Sequence, residues 1–145
     1  MPIIIPGTPI AKKRPRFARR GNYVVTYNSQ ETEEGRFFLE ARSQWQEPIF
    51  GGGVEIEVVY EMPIPKGTSR KKVEKMLSGE IRHLKKPDTD NLVKFTKDCL
   101  TNIVWKDDAQ VWKETVEKRF SLEPKTIIFI KKDHVMREDR EEEKE

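Results

Sequence analysis

Four aspartates bracket one amphipathic stretch: Asp88 and Asp90 in "KKPDTDNLVK", then Asp107 and Asp108 in "IVWKDDAQV". Carboxylates gathered without a counterion push one another's pKa upward, and a hard divalent cation removes that conflict. Oxygen donors with no thiolate or histidine cluster favour Mg²⁺ or Mn²⁺ over zinc. The two histidines, His83 and His134, lack ligand spacing, so zinc hydrolysis and histidine-based nuclease schemes find no support. A carboxylate-held ion beside basic surface suits phosphodiester cleavage, in which it acidifies a water and neutralises charge on the leaving oxygen. Lys94, one turn past Asp90, is placed to contact the scissile phosphate. Its plainer role is an i,i+4 pair with Asp90 or Asp98, worth roughly a few tenths of a kcal/mol.

The elements that must position these groups follow from the local pattern. Pro87 biases Lys86 toward extended backbone. Asp88 then takes the N-cap place of a helix over residues 89 to 101, with Asp90 in its first turn. Leu92, Val93, Phe95, Cys99, Leu100 and Ile103 share one face of that helix, and Asp90, Lys94, Lys97, Asp98 and Thr101 the other. Capping and the helix dipole alone give Asp88 and Asp90 a role, at about 1 kcal/mol each. A shared ligand at the helix mouth gives them another. A strand packing back along the helix would return Asp107 or Asp108 to that mouth, only one of them because strand neighbours point to opposite faces.

Elsewhere, "MPIIIPGTPI" reads as a short strand leading to a loop that holds the basic tract "KKRPRFARR", and "NYVVTYN" as a second strand. Ser29 stands as a possible N-cap before a helix with Phe37, Phe38, Ala41 and Trp45 at helical spacing. "VEIEVVYEM" alternates like a half-buried strand, and Val73, Met76 and Leu77 mark a short helix. "AQVWKETVEKRFS" and "KTIIFIKK" suggest a closing hairpin about Leu122 to Pro124. The sum is an α+β fold: a single small domain over residues 1–136, a mixed β-sheet covered by helices, then a solvated acidic tail at 137–145. That tail holds six acidic and three basic residues, so against the whole chain's +3 the remainder carries +6. A polyanionic partner fits. The lone Cys99, read as core packing, excludes an internal disulfide framework and suits a reducing compartment. With no signal-like opening and no apolar run long enough for a bilayer, the expected location is cytoplasmic, away from membranes.

The residues at 85–111, with Asp98 between the two acidic motifs, resemble the RusA family of Holliday-junction resolvases. The likeness continues through Lys118 and the final strands, and "IPGTPIAKKRPR" resembles the family's N-terminal segment. The resemblance implies a RusA-like homodimer that binds four-way DNA junctions and makes paired, symmetric, Mg²⁺-dependent nicks, leaving ends that ligase can seal. It implies Asp88, Asp90 and Asp108 as metal ligands and Lys94 as the catalytic cation. DNA contacts would come from Lys12, Lys13, Arg14, Arg16, Lys85, Lys86, Asn91 and Lys118. "KKP" stands where some members have a denser arginine run. A regular strand would place Asp108 and Lys118, ten apart, on one face. Two sites about a two-fold axis match the symmetry of a junction that needs two cuts. Phe17 is either a stacking residue at the branch point or core. The competing class is a non-catalytic DNA-binding module with a basic loop, its acids serving as caps. A PD-(D/E)XK nuclease is disfavoured, since its only Glu-x-Lys candidate, "EPK" at 123–125, holds a proline.

Overall fold

The computed structural model describes residues 1–13, 16–20, 23–27 and 31–133. The elements, in chain order, are β1 (Ile3–Pro6), β2 (Arg16–Arg20), β3 (Tyr23–Tyr27), α1 (Glu31–Gln44), β4 (Gly53–Pro63), α2 (Arg70–Ser78), α3 (Thr89–Leu100), a 3₁₀ turn (Asp108–Gln110), β5 (Val111–Ser121) and β6 (Lys125–Asp133). They form a single small α+β domain whose mixed four-stranded sheet runs β1-β6-β4-β5. Among the described residues no helix is long and apolar enough to cross a membrane.

β4 takes an interior place with one continuous apolar face and a buried valine on the other, among Glu55, Glu57 and Glu61. Val54, Ile56, Val58, Tyr60 and Met62 are buried on the helix side, and Val59 is buried on the other. β5 is rich in charge and has no fully buried residue, which suits an edge strand. The expected β5–β6 hairpin is therefore not what forms. β5 pairs parallel with β4, and β6 pairs antiparallel with β4 on its other side. A parallel pair needs a crossover, and α2 and α3 supply it. α3 thus runs back against the direction of β5, which decides where the second acidic pair can lie.

The basic tract is not a loop throughout. Arg16–Arg20 forms β2, paired antiparallel with β3 from Arg16 opposite Tyr27 to Arg20 opposite Tyr23. Phe17 stands in this strand opposite Thr26. Arg14 and Ser29, like the acidic tail, lie outside the described residues.

The core joins the inner face of the sheet to α1 and α3. All six apolar residues expected on one face of the latter are buried, with Thr96 among them. Thr96 is tolerated because its hydroxyl bonds the Tyr60 hydroxyl at 2.7 Å and the Leu92 carbonyl at 3.2 Å. Phe37 meets Phe95 edge-on at 5.6 Å, locking the two helices together. Phe38, one step round α1 from the buried Phe37–Ala41 line, is exposed, and so is Leu77 on α2. Gln44 closes the β1 edge by bonding both the N–H and the carbonyl of Ile4 at 2.7 Å.

Candidate functional site

Asp88 caps α3: its backbone is extended and its side-chain oxygen accepts the Asn91 N–H at 3.0 Å. One of the donors left over at the helix start is thereby satisfied. Asp90 lies in the first turn with an exposed side chain, and Lys94 follows on the same exposed face.

The second pair is built differently from the sequence expectation. Asp107 and Asp108 do not begin a strand; Asp107 is the N-cap of the 3₁₀ turn. Its carboxylate accepts the Ala109 N–H at 2.9 Å, and Gln110 Oε1 accepts the Asp107 N–H at 3.0 Å. Gln110 is 5% exposed and holds four backbone groups, because its amide also donates to the carbonyls of Phe50 and Gly52 at 2.8 and 2.9 Å and its oxygen accepts the Lys106 N–H. Behind the turn, Ile103, Val104 and Trp105 are fully buried. The turn is therefore anchored to the core, with Asp108 presented outward from it. The ten-residue spacing to Lys118 no longer implies a common face, since the strand starts only at Val111 and its register with β4 shifts beside Trp112.

Asp90, Val93, Lys94, Lys97, Asp108 and Glu114 line one open groove of about 320 Å³. Among the described residues, the side chains of Asp90, Lys94 and Asp108 have no hydrogen-bond or ion-pair partner. Lys97 and Glu114 pair across the groove at 3.2 Å. Asp88 is not part of the lining, and among the described residues no three Asp, Glu, His or Cys side chains are grouped to hold a metal ion. The expected meeting of three carboxylates at the helix mouth thus reduces to two that face one groove. The antiparallel run of α3 and β5 is the cause, for it sets Asp108 beside the helix flank while Asp88 folds back over its first turn. The donors still fit a hard cation in kind: Mg²⁺ keeps several waters and is commonly held by one or two carboxylates together with substrate phosphates.

Asp108 also borders a second, larger groove of about 620 Å³, with Lys12, Glu34, Asp98, Cys99, Lys106 and Asp107 in its lining. Here Lys12, Asp98 and Glu34 have partners. Lys12 Nζ lies 3.1 Å from Asp98 and 3.6 Å from Glu34, and its backbone N–H donates to the Asn91 carbonyl at 2.9 Å. Burial disfavours the Lys12 ammonium, but bonding and charge from Asp98 and Glu34 outweigh it, and its pKa is raised. Lys13 pairs with Glu33 at 3.7 Å. Burial pushes the Cys99 thiol up to about 12, in keeping with a packing role.

Lys85 and Lys86 are exposed ahead of the helix, and the Asn91 side chain is exposed beside them. Lys118 is engaged with protein, donating to the carbonyls of Lys85 and Pro87 at 2.9 and 3.0 Å. His83 packs on Phe120 at 5.2 Å, and burial, then the charge of Lys118, lowers its pKa. Sequence reasoning missed Glu114 and Gln110. The first had no visible signal, because its place depends on the β4–β5 pairing; the second was legible as the fourth residue of "DDAQ", a capping-box spacing.

Two comparisons with known proteins bear on this arrangement. A family model described as endodeoxyribonuclease RusA matches residues 6–131. The uncharacterized protein YqaN of Bacillus subtilis strain 168 is 36% identical over 132 residues, covering 86% of this chain and 91% of the relative.

Proposed function

The chain belongs to the RusA endodeoxyribonuclease family, and from that premise we propose that it resolves four-way DNA junctions by paired, symmetric, divalent-ion-dependent nicks. The observation that carries the reading is the groove in which Asp90, Asp108 and Lys94 have no partner among the described residues while Lys97 and Glu114 beside them are paired. Unpaired charge is costly to concentrate unless a ligand answers it.

Asp90 and Asp108 would hold Mg²⁺ or Mn²⁺, with Asp88 contributing through the carboxylate oxygen that does not cap α3. When bound, the ion supplies Lewis-acid polarisation of a phosphate oxygen and a more acidic water. Lys94 stabilises the charge that grows on the phosphoryl oxygens during in-line attack. Lys85, Lys86 and Asn91, ahead of and at the start of α3, contact the sugar-phosphate strand, and the family resemblance assigns DNA contacts to Arg14 and Arg16 as well. Lys12 and Lys13 join it on exchanging their carboxylate partners for phosphate. A homodimer presents two such grooves to the two strands to be cut. Residues 1–136 make up the nuclease domain, the acidic 137–145 segment lies beyond it, and the enzyme works in the cytoplasm on DNA.

A synthetic mobile junction incubated with protein and Mg²⁺, against an EDTA control, tests the reading. Paired symmetric nicks appear only with the ion, and Asp90→Asn abolishes them while leaving junction binding intact or tighter, since it removes negative charge near phosphate. Binding without products in Mg²⁺ or Mn²⁺ favours the non-catalytic DNA-binding module instead.

A further inference from the structure

We infer that Lys118 is a positioning residue: from β5 it pins the approach to α3 and so fixes the Asp88 carboxylate, in place of the phosphate contact its basic side chain suggests. The inference rests on the nuclease reading for its consequence in catalysis, and on geometry alone for the positioning itself.

Two distances carry it. The Lys118 ammonium donates to the Lys85 carbonyl at 2.9 Å and to the Pro87 carbonyl at 3.0 Å, two residues apart on the segment that ends at Asp88. An ammonium has three donors; two of them close a bridge across the turn, and this bridge ends one peptide before the N-cap. A second contact from the same strand supports the same segment, for Phe120, two residues on, packs against His83. Lys118 and Phe120 lie two apart on a strand and so share a face. That face of β5 holds the approach at both ends. The side chain is partly buried, unlike the exposed Lys85 and Lys86.

A cation so placed has a consequence that a phosphate contact lacks. The turn orients Asp88, Asp88 caps Asn91, and the cap sets the direction of the first turn, where Asp90 stands. Outer residues that orient metal-ligating groups typically alter ion affinity or activity by about 10- to 100-fold when removed. A phosphate contact instead weakens DNA binding and reduces its salt dependence.

The variants are Lys118→Met, which keeps length and loses the donors, and Lys118→Arg, which keeps charge and donors. Amide hydrogen exchange is followed in metal-free protein. Lys118→Met is expected to speed exchange at the Asn91 amide about fivefold, the scale of a lost cap, while amides in the middle of α3 hold their rates. Mn²⁺ affinity of the free protein falls about tenfold, junction affinity in EDTA stays within about twofold with an unchanged salt slope, and Lys118→Arg restores most of the Asn91 protection. Unchanged Asn91 exchange overturns the inference, and so does a uniform speeding of all α3 amides. Loss of junction affinity in EDTA with Asn91 protected establishes the phosphate contact and overturns it too. Should Lys118→Met fail to fold, Lys118→Arg decides by the same readings, with wild-type Asn91 protection and Mn²⁺ affinity expected and faster Asn91 exchange at unchanged Mn²⁺ affinity overturning the idea. A wild-type protein that cuts no junction sinks the nuclease reading alone, because the exchange measurement still decides the role of Lys118.

Discussion

The two grooves that meet at Asp108 differ in what their charges do. In the larger one Lys12 is held by Asp98 and Glu34, and Lys13 is held nearby by Glu33. In the smaller one Asp90, Lys94 and Asp108 have no partner among the described residues. Surface pairs such as the first contribute little to stability, but they leave the Lys12 ammonium answered by carboxylates of the protein itself. In the smaller groove the carboxylates of Asp90 and Asp108 and the ammonium of Lys94 suit a cation and a phosphate. The same division separates the aspartates: the side chains of Asp88 and Asp107 satisfy backbone donors, and those of Asp90 and Asp108 have no partner among the described residues.

Substitutions on either side of that division sharpen it. The largest effect is expected from Asp108→Asn, which should lower the nicking rate by about 100-fold or more, with the thermal midpoint and junction affinity nearly unchanged. Single-turnover cleavage beside a melting curve measures both, and cleavage at the wild-type rate would erase the distinction between the grooves. Next comes Asp107→Ala, which removes a cap and should cost about 1 kcal/mol in urea unfolding. The stability loss should come with a cleavage defect far smaller than that of Asp108→Asn once the protein is held below its transition. The smallest effect is expected from Asp98→Asn, which releases Lys12 from a pair about a third exposed. Stability should change by less than about 1 kcal/mol, and junction affinity at low salt should rise as the ammonium, left with Glu34 alone, meets phosphate more readily. An affinity drop would mean that the pair itself builds the DNA surface.

Titration offers a further check on the segment leading to α3. The pKa of His83 is lowered by burial and by Lys118, so the unfolded chain binds more protons than the folded one as pH falls through the ordinary histidine range near 6.5. Stability is fully present above that range and declines on acidification below it. Replacing His83 with Phe should flatten this part of the pH profile of urea unfolding.

Helix α3 and its two faces were legible from residues alone, because a 3.6-residue period of large apolar side chains admits one packing and "PDTD" carries its own start signal. So were β4, from its alternation, and the RusA likeness, carried by motifs that lie within about 25 residues. Those 85–111 motifs named Asp88, Asp90, Lys94 and Asp108; the last three are among the residues lining the smaller groove, and Asp88 is not.

What the chain could not reveal locally was pairing. The closing strands look like a hairpin because they are adjacent in sequence, yet β4 separates them, and only the competition for the interior of the sheet decides that an apolar strand wins it over a charged one. From this one placement follow the antiparallel run of α3 and β5, the arrival of Asp108 at the flank of the helix, the entry of Glu114 into the groove and the reach of Lys118 to the turn before Asp88. Residue types and short spacings determined which groups can do chemistry, since those are set within a turn or two of chain. Which of them face each other was decided by long-range strand order, where burial summed over whole elements outweighs any local preference.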